Sequence, residues 1–298
     1  MRPLHLKGKI ITIDLLIQMD NNYIQSVGNL NSPLGARGNI LDKILASKAI
    51  EVAARKKEFP ISYLEKSPAY GRKCLSMRQS LTDSKSGIIS EFKRKSPSLG
   101  WIHKDADVGI VTSGYSEAGA AGISILTDLE YFGGTPMDLM YARPQIKCPV
   151  LRKDFVIDEY QLYEAKSMGA DVVLLIAAAL TAKQCMELGR KAHELGLEVL
   201  LEVHNADEIR HANDYVDMLG VNNRNLKTFE QTIQTSFDLA HLIPDQFIKV
   251  SESGISKVET VQELQKVGYR GFLMGENFMK EQNPAEALRK FIKELTAH

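Results

Sequence analysis

The feature that most constrains the fold is an alternation of short apolar runs with longer amphipathic stretches, which extends from Gly87 toward the C-terminus. Eight such runs begin roughly every 20 to 35 residues, the length of one strand plus one helix. Because parallel strands need long crossover connections, the alternation predicts a parallel sheet covered by helices. The runs are Ile88–Phe92, Ile123–Leu126, Val150–Leu151, Val172–Ile176, Val199–Val203, Met218–Val221, Phe247–Val250 and Gly271–Met274.

Helix signals lie between these runs. Five segments resemble capping boxes, in which a side-chain acceptor is followed three residues later by Glu or Gln. They begin at Asp158, Thr181, Asn205, Ser256 and Asn283. Glycines stand where three helices would end, at Gly169, Gly196 and Gly268. Eight strand–helix units predict a closed (β/α)8 barrel. A doubly wound sheet is the alternative, but no GxGxxG sequence follows an early strand.

The chain ahead of the alternation divides into two parts. Residues 1–38 are rich in turn-forming Asn, Ser-Pro and Gly, which predicts an extension without a well-defined fold. The run Ile40–Lys57 has apolar residues near helical spacing, and Pro60 ends it. We therefore expect residues 39–298 to form one catalytic domain, with extra N-terminal helices over 40–80 ahead of the barrel.

Composition excludes several classes of partner. The 37 basic and 37 acidic residues give zero net charge, which argues against nucleic acid as the main partner. Three widely spaced cysteines predict no disulfide framework, and no Cys or His spacing indicates a metal site. The apolar stretch at Ile10–Ile17 is too short for a membrane span or a secretory signal. We expect a cytoplasmic protein without a metal or a membrane partner, and take a monomer as the working expectation.

Six of the eight predicted strands end in charged or amide side chains. The chemistry of a (β/α)8 barrel is located at the carboxyl ends of its strands. A charge that follows an apolar run is costly to bury unless it is paired. Lys–Glu pairs that only fill the barrel would explain any one of these residues, but not a set that clusters at one end. The residues are Glu91, Lys93, Arg152, Lys153, Glu202, Asn222, Arg224, Glu252 and Glu276.

Lysines and carboxylates in one cavity would form an acid–base set. Neighbouring cations and apolar walls are expected to lower the pKa of Lys93 and Lys153. An apolar pocket is expected to raise the pKa of carboxylates such as Glu202. Both kinds of group could then exchange protons near neutral pH.

A phosphate seat is predicted at the ends of strands seven and eight, the usual place for one in this fold. Ser253-Gly254 and Gly275-Glu276 lie there, and glycine lets backbone N–H groups approach an anion. Glu276 is expected to offer its N–H while its carboxylate points away. Near the same mouth, Pro97, Phe132 and Phe155 could enclose a flat ring.

Five motifs together resemble the indole-3-glycerol-phosphate synthase family. They are EFKRKSPS at 91–98, LRKDF at 151–155, LLEV at 200–203, GVNNRNL at 220–226 and SESGI at 251–255. The resemblance runs in order from about Ile40 to the C-terminus. It implies a cofactor-free lyase of tryptophan biosynthesis, acting on a phosphosugar. That enzyme closes the indole ring of 1-(2-carboxyphenylamino)-1-deoxyribulose 5-phosphate, with loss of carbon dioxide and water.

The resemblance also implies residue roles. Lys153 would be the general acid and Glu202 the base for dehydration. Lys93 would hold the substrate carboxylate or phosphate end, or act as a second acid, and Glu91 would orient the lysines or share their duty. Which lysine donates at each step stays open. Substrate-binding residues would be Ser96, Pro97, Phe132, Phe155, Asn222, Arg224, Glu252 and Ser253. The phosphate would lie on Ser253, Gly254, Gly275 and Glu276.

Two rival functions can be weighed from the same residues. A phosphoribosylanthranilate isomerase would need a cysteine base near the end of strand one, where this chain has Glu91 and Lys93. Cys148 precedes strand three, at the wrong end of the barrel. An inactive barrel that only binds a phosphorylated metabolite is the second rival. The intact set of two lysines and Glu202 argues against it.

Overall fold

A computed structural model describes residues 39–225 and 230–297, and the predictions made for residues 1–38 lie outside this part of the chain. Eight parallel strands form a closed barrel in which each strand pairs with the next and the last pairs with the first. The predicted (β/α)8 fold is therefore confirmed. The strands are β1 (Ile88–Phe92), β2 (Gly122–Leu126), β3 (Val150–Lys153), β4 (Val172–Ile176), β5 (Glu198–Val203), β6 (Met218–Asn222), β7 (Ile248–Glu252) and β8 (Tyr269–Met274).

Helices surround the barrel and also precede it. The α-helices are α1 (Ile40–Glu58), α2 (Ile61–Leu64), α3 (Met77–Asp83), α4 (Val108–Glu117), α5 (Leu129–Phe132), α6 (Pro136–Ala142), α7 (Tyr160–Met168), α8 (Ala182–Glu194), α9 (Gln234–Leu239), α10 (Val258–Lys266), α11 (Glu276–Met279) and α12 (Pro284–Leu295). Short 3-10 turns cover Arg143–Gln145, Ala177–Ala179 and Ala206–His211, and Lys95–Ser96 pairs with Gly100–Trp101 beyond β1.

The predicted helix ends are correct in most places. Thr181 and Gln184 form a reciprocal capping box on α8, and Asn283 caps α12 with Pro284 at its first position. The side chain of Asn205 caps the 3-10 turn that follows β5. The three predicted stop glycines have positive φ: 90° at Gly169, 75° at Gly196 and 95° at Gly268.

One predicted capping box is absent and another is only half formed. α10 begins after Lys257 without a side-chain cap, so Ser256 is not its N-cap. α7 begins at Tyr160, and the side chain of Asp158 accepts a hydrogen bond from the backbone N–H of Tyr160 instead of from that of Gln161. The carbonyl oxygen of the Gln161 side chain accepts from the backbone N–H groups of Ile157 and Asp158, and the second of these bonds is the return half of the box. In both cases the pattern placed a helix correctly but not its first residue.

The helix α3 closes the amino-terminal end of the barrel. Glu198, the first residue of β5, accepts hydrogen bonds from the N–H groups of Met77 and Arg78 at the start of this helix. Met77 and Leu81 are buried against the strands. A Cβ atom at Gly122 would lie 2.2 Å from the sulfur of Met77, so β2 needs glycine there. The barrel is therefore open to chemistry only at its other end.

The helix α1 packs on the carboxyl ends of the strands. Leu41 and Ile44 belong to the apolar cluster that also holds Phe155 and Leu174. One turn further along, Lys48 is only 1% exposed. Its ammonium lies 2.8 Å from Asp128 and 3.0 Å from Asp154, and Asp154 directly follows β3. A buried ion cluster thus anchors α1 beside the strand that carries Lys153.

Replacing Lys48 with Met tests this anchor. The change leaves the carboxylates of Asp128 and Asp154 without their shared cation, and breaking a buried ion pair costs about 3–5 kcal/mol. Lys56→Met is the matched control, since Lys56 pairs with Asp158 from the same helix but its side chain is 45% exposed. It should cost at most about 1 kcal/mol. Urea unfolding measures both, and equal losses would contradict the account.

Candidate active site

One cavity opens at the carboxyl end of the barrel and encloses about 890 Å³, open solvent at its mouth included. All four predicted catalytic residues and all eight predicted substrate-binding residues line it. The structure therefore brings together side chains that are as much as 162 positions apart along the chain. The lining residues are Ile40, Leu41, Ile44, Glu91, Lys93, Ser96, Pro97, Leu126, Phe132, Lys153, Asp154, Phe155, Leu174, Ile176, Glu202, Asn222, Arg224, Glu252, Ser253 and Leu273.

Four ionisable side chains form one layer at the floor of this cavity. Glu91, Lys153, Glu202 and Glu252 come from β1, β3, β5 and β7, which are alternate strands of the barrel. Side chains of alternate strands share a layer in this fold because their carboxyl ends lie at one level. These four side chains lie together because they come from alternate strands, whatever their separation along the chain.

Lys153 is the cation at the centre of this layer. Its Nζ atom lies 2.8 Å from Oε2 of Glu202 and 3.0 Å from Oε2 of Glu252. Burial alone would lower the pKa of Lys153, but the charges of Glu202 and Glu252 raise it well above its usual range. The expectation of a lowered pKa is thus wrong for Lys153, because carboxylates and not cations are its neighbours.

Glu202 lies between two cationic groups. Its Oε2 atom holds Lys153, and its Oε1 atom lies 3.3 Å from Nε2 of His204. Burial would raise the pKa of this carboxyl, but Lys153 and His204 hold it well below its ordinary value. The predicted rise for Glu202 is therefore wrong as well, and Glu202 is an anion at neutral pH.

Glu252 behaves differently from Glu202. It is 1% exposed, and its Oε1 atom is buried without a hydrogen-bond partner among the described residues. Burial raises the pKa of Glu252 to about 7, Lys153 opposes the rise, and the charge of Glu202 adds to it. The raised pKa that the sequence predicted for carboxylates in this pocket is therefore found at Glu252.

Lys93 and Glu91 form the second pair of the site. Nζ of Lys93 lies 2.7 Å from Oε1 of Glu91, and the hydroxyl of Ser124 donates to Oε2 of Glu91 at 3.4 Å. Gly275 packs directly against this carboxylate, because a Cβ atom at that position would lie 2.9 Å from Oε1 of Glu91. Its lack of a side chain therefore makes room for Glu91.

Aromatic and apolar side chains wall the upper part of the cavity. The ring centroids of Phe132 and Phe155 are 6.1 Å apart, with an angle of 35° between the rings. Ile40, Leu41 and Ile44 of α1 complete the wall. These three residues were not among the predicted site residues. Their helical spacing revealed an apolar face but not the surface that this face covers.

A strained backbone shapes the edge of the cavity after β7. Ser253 has a φ of 66°, the left-handed region that non-glycine residues seldom adopt. The amide of Asn223 donates to the carbonyl oxygens of Glu252 at 3.0 Å and Ser253 at 3.1 Å, which fixes this bend. Strain of this kind is common at functional sites, and Asn223 was not predicted to contribute.

The predicted phosphate seat is only partly within the cavity. Ser253 lines it, whereas Gly254, Gly275 and Glu276 are not among its lining residues. Gly254 has a φ of 73° and Gly275 directly precedes α11, so both lie where the backbone turns. The carboxylate of Glu276 lies 3.6 Å from the guanidinium of Arg224. The seat itself stays a prediction.

Neither a metal-holding cluster nor a membrane-spanning helix is found in the described part of the chain. Within residues 39–225 and 230–297, no cluster of three or more His, Cys, Asp or Glu side chains could hold a metal ion. Over the same residues, no helix has both the length and the apolar character needed to cross a membrane.

Fold and site together define an acid–base enzyme built on a (β/α)8 barrel. The profile of the family "Indole-3-glycerol phosphate synthase" matches residues 41–291. A relative with this name from Bacteroides thetaiotaomicron is 50% identical, over 86% of this chain and 99% of that protein. Another, from Polynucleobacter asymbioticus, is 42% identical, over 84% of this chain and 97% of that protein. The chain therefore belongs to the indole-3-glycerol phosphate synthase family, carboxy-lyases of tryptophan biosynthesis. The predicted family, enzyme class and pathway are confirmed.

Solved structures of similar shape support the fold alone. A tryptophan synthase α-subunit from Pyrococcus furiosus is 17% identical, covers 72% of this chain and 98% of its own, and has a TM-score of 0.54. The 3-hexulose-6-phosphate synthase from Salmonella typhimurium is 15% identical, covers 71% and 99%, and has a TM-score of 0.55.

The raised pKa of Glu252 predicts how stability depends on pH. The folded protein holds the Glu252 proton more tightly than the unfolded chain, so this stabilisation is complete below pH 4.5 and lost as pH rises through about 7. Relative to Glu252→Gln, the free energy of unfolding should fall by on the order of 2–3 kcal/mol across that window. Urea unfolding at several pH values measures it. A difference that is flat or rises with pH would contradict the assignment.

Proposed function

We propose that this cavity closes the indole ring of 1-(2-carboxyphenylamino)-1-deoxyribulose 5-phosphate, with Lys153 as general acid and Glu202 as base. The observation that carries the proposal is the position of the Lys153 ammonium, 2.8 Å from Glu202 and 3.0 Å from Glu252 in a buried layer. A protonated donor and an ionised acceptor thus lie side by side, beneath the apolar walls of the cavity.

Lys153 supplies the proton for ring closure. The ring carbon that bears the carboxylate attacks the ribulose carbonyl, and the carbonyl oxygen takes a proton from Nζ of Lys153 as it becomes a hydroxyl. The raised pKa of Lys153 keeps it protonated at neutral pH, so a proton is available when the substrate arrives. Loss of carbon dioxide then leaves the bonding electrons on the ring.

Glu202 completes the sequence by removing a proton during dehydration. After Lys153 regains a proton from solvent, it donates this second proton to the hydroxyl formed in the first step, which leaves as water. The carboxylate of Glu202 takes a proton from the five-membered ring as that ring becomes aromatic. Its lowered pKa means that Glu202 is ionised before the reaction starts. Once Lys153 moves toward the substrate, Glu202 loses a neutralising contact and becomes a stronger base.

Lys93 holds the anionic carboxylate of the substrate until it leaves as carbon dioxide. Its side chain is 14% exposed and reaches the cavity from the loop after β1, where Glu91 holds it. A fixed cation at this point aligns the ring carbon with the carbonyl. Glu91 therefore serves Lys93 in orientation and not as a proton carrier.

The remaining predicted residues bind the two ends of the substrate. The anthranilate ring lies between Phe132, Phe155 and Pro97. The ribulose hydroxyls face Asn222, Arg224 and Glu252. Ser96 shapes the loop after β1, because its hydroxyl accepts a hydrogen bond from the N–H of Leu99 at 3.2 Å. At the other end, the phosphate rests on the turns Ser253-Gly254 and Gly275-Glu276. The first N–H groups of α11 support this seat, since a helix start leaves them without intrahelical partners.

Lys153→Met tests the acid assignment. The variant should lower kcat by about 10²–10⁴-fold, because no proton donor then faces the carbonyl. Turnover is measured by the fluorescence of the indole product as it forms from the carboxyphenylamino substrate. Binding is measured by the quenching of substrate fluorescence. Lys249→Met is the matched control: Lys249 is a half-buried lysine near the start of β7, which donates to the carbonyl oxygen of Ala240 at 2.7 Å and does not line the cavity.

The control variant should keep its turnover. Near-normal turnover in Lys153→Met would show that Lys153 is not the acid. Tight binding without any product in the unaltered protein would instead favour the inactive barrel.

A further inference from the structure

His204 is a half-buried ionisable group that the proposed reaction does not use. It directly follows β5, and its imidazole contacts a carboxylate on each side. Nε2 lies 3.3 Å from Oε1 of Glu202, and Nδ1 lies 3.2 Å from Oε2 of Glu208. Glu202 and His204 are two residues apart along an extended strand, so their side chains point to the same face.

Glu208 fixes the orientation of the His204 ring. The same Oε2 atom accepts a hydrogen bond from the backbone N–H of His204 at 2.7 Å, and Oε1 accepts from the amide of Asn205 at 2.8 Å. The carboxylate is thus held at three points by two adjacent residues. With Nδ1 directed to Glu208, the other ring nitrogen must face Glu202.

The contact at Nε2 is electrostatic in character. The nitrogen is buried and close to Glu202, but it lacks the alignment of a hydrogen bond. Burial would lower the pKa of His204, yet Glu202 and Glu208 raise it to about 9, so the ring is positively charged at neutral pH. Glu202 therefore has a second cation that does not depend on Lys153.

The roles of the two cations differ once substrate binds. Lys153 must turn its ammonium toward the substrate carbonyl to act as an acid, and it then gives up part of its contact with Glu202. His204 is held by Glu208 and has no reason to move. We infer that His204 is a positioning residue for Glu202, which fixes the orientation of the Glu202 carboxylate and keeps it ionised while Lys153 serves the substrate. This inference rests on the proposed role of Glu202 as base.

Other charges face His204 and belong in any account of its titration. Glu202 lies on β5 and Glu208 on the following 3-10 turn. A second, polar cavity beside the catalytic one is lined by His204 together with Asp42 of α1, Arg224 after β6 and Glu230. Arg224 opposes protonation of the ring, whereas the carboxylates favour it.

The experiment compares kcat and KM from pH 4 to 9 for the unaltered protein, His204→Gln, Glu208→Gln and Glu202→Gln. His204→Gln keeps a side-chain donor but cannot carry charge. It should lower kcat by about tenfold or more and leave KM within about threefold, since the base and not substrate binding is affected. The acid limb of kcat should move to higher pH, because Glu202 then protonates more readily. Glu208→Gln should shift it the same way by less.

His193→Gln is the matched control. Like His204, His193 is paired with a carboxylate, that of Asp217 at 2.9 Å. This pair lies at the amino-terminal end of the barrel, where Asp217 accepts a hydrogen bond from the N–H of Val199. This variant should keep both kcat and its pH profile.

Three results would overturn the inference. The first is a His204→Gln variant with unaltered kcat and pH profile while Glu202→Gln is inactive; the proposed function would then stand without it. The second is a loss of kcat in His204→Gln with no shift of the acid limb, which would indicate a merely structural residue. The third is full activity in Glu202→Gln, which would remove the proposed base and this inference together.

Discussion

The contact between Lys153 and the two carboxylates of Glu202 and Glu252 is the interaction on which the rest of the site depends. Three buried charges are tolerated in a barrel interior only when they compensate one another. β3, β5 and β7 bring them to one level because alternate strands of a closed barrel contribute to the same layer. The same geometry that makes the ions acceptable for folding also places the proposed acid, Lys153, next to the proposed base, Glu202.

This layer is a compromise between stability and chemistry. Lys153 can satisfy Glu202 and Glu252, but Oε1 of Glu252 remains buried without a hydrogen-bond partner within the described ranges, and the pKa of Glu252 rises to about 7. Apolar side chains would fill the same volume at less cost. A substrate hydroxyl can donate the hydrogen bond that Glu252 lacks. The missing bond thus lowers the stability of the folded protein but leaves Glu252 available to bind substrate.

Much of this could be predicted from sequence. The barrel follows from the periodicity of the apolar runs. The polar residues that end the strands include the four proposed catalytic residues, Glu91, Lys93, Lys153 and Glu202, and all four line the cavity. The pKa directions of Lys153 and Glu202 could not be predicted, because they depend on which charges lie within a few ångströms and not on burial alone.

The placement of α1 and the bend after β7 were also beyond the sequence. The spacing of apolar residues such as Ile44 indicated a helix with an apolar face. Which surface this face covers depends on the ion cluster around Lys48. The left-handed conformation of Ser253 carries no local signal, because serine seldom adopts it and the hydrogen bonds that hold it come from Asn223, directly after β6. Long-range partners decide both features, and a periodic pattern does not contain them.

A crystal structure with the substrate or a reduced, unreactive analogue bound would show which group faces the reacting oxygen. If Lys153 is the acid, its Nζ atom moves away from Glu202 to within about 3 Å of the oxygen at the carbonyl position, a hydrogen-bond distance. Glu202 would remain beside the forming ring. The account would be contradicted if Lys153 kept both carboxylate contacts while Lys93, or another group, touched that oxygen.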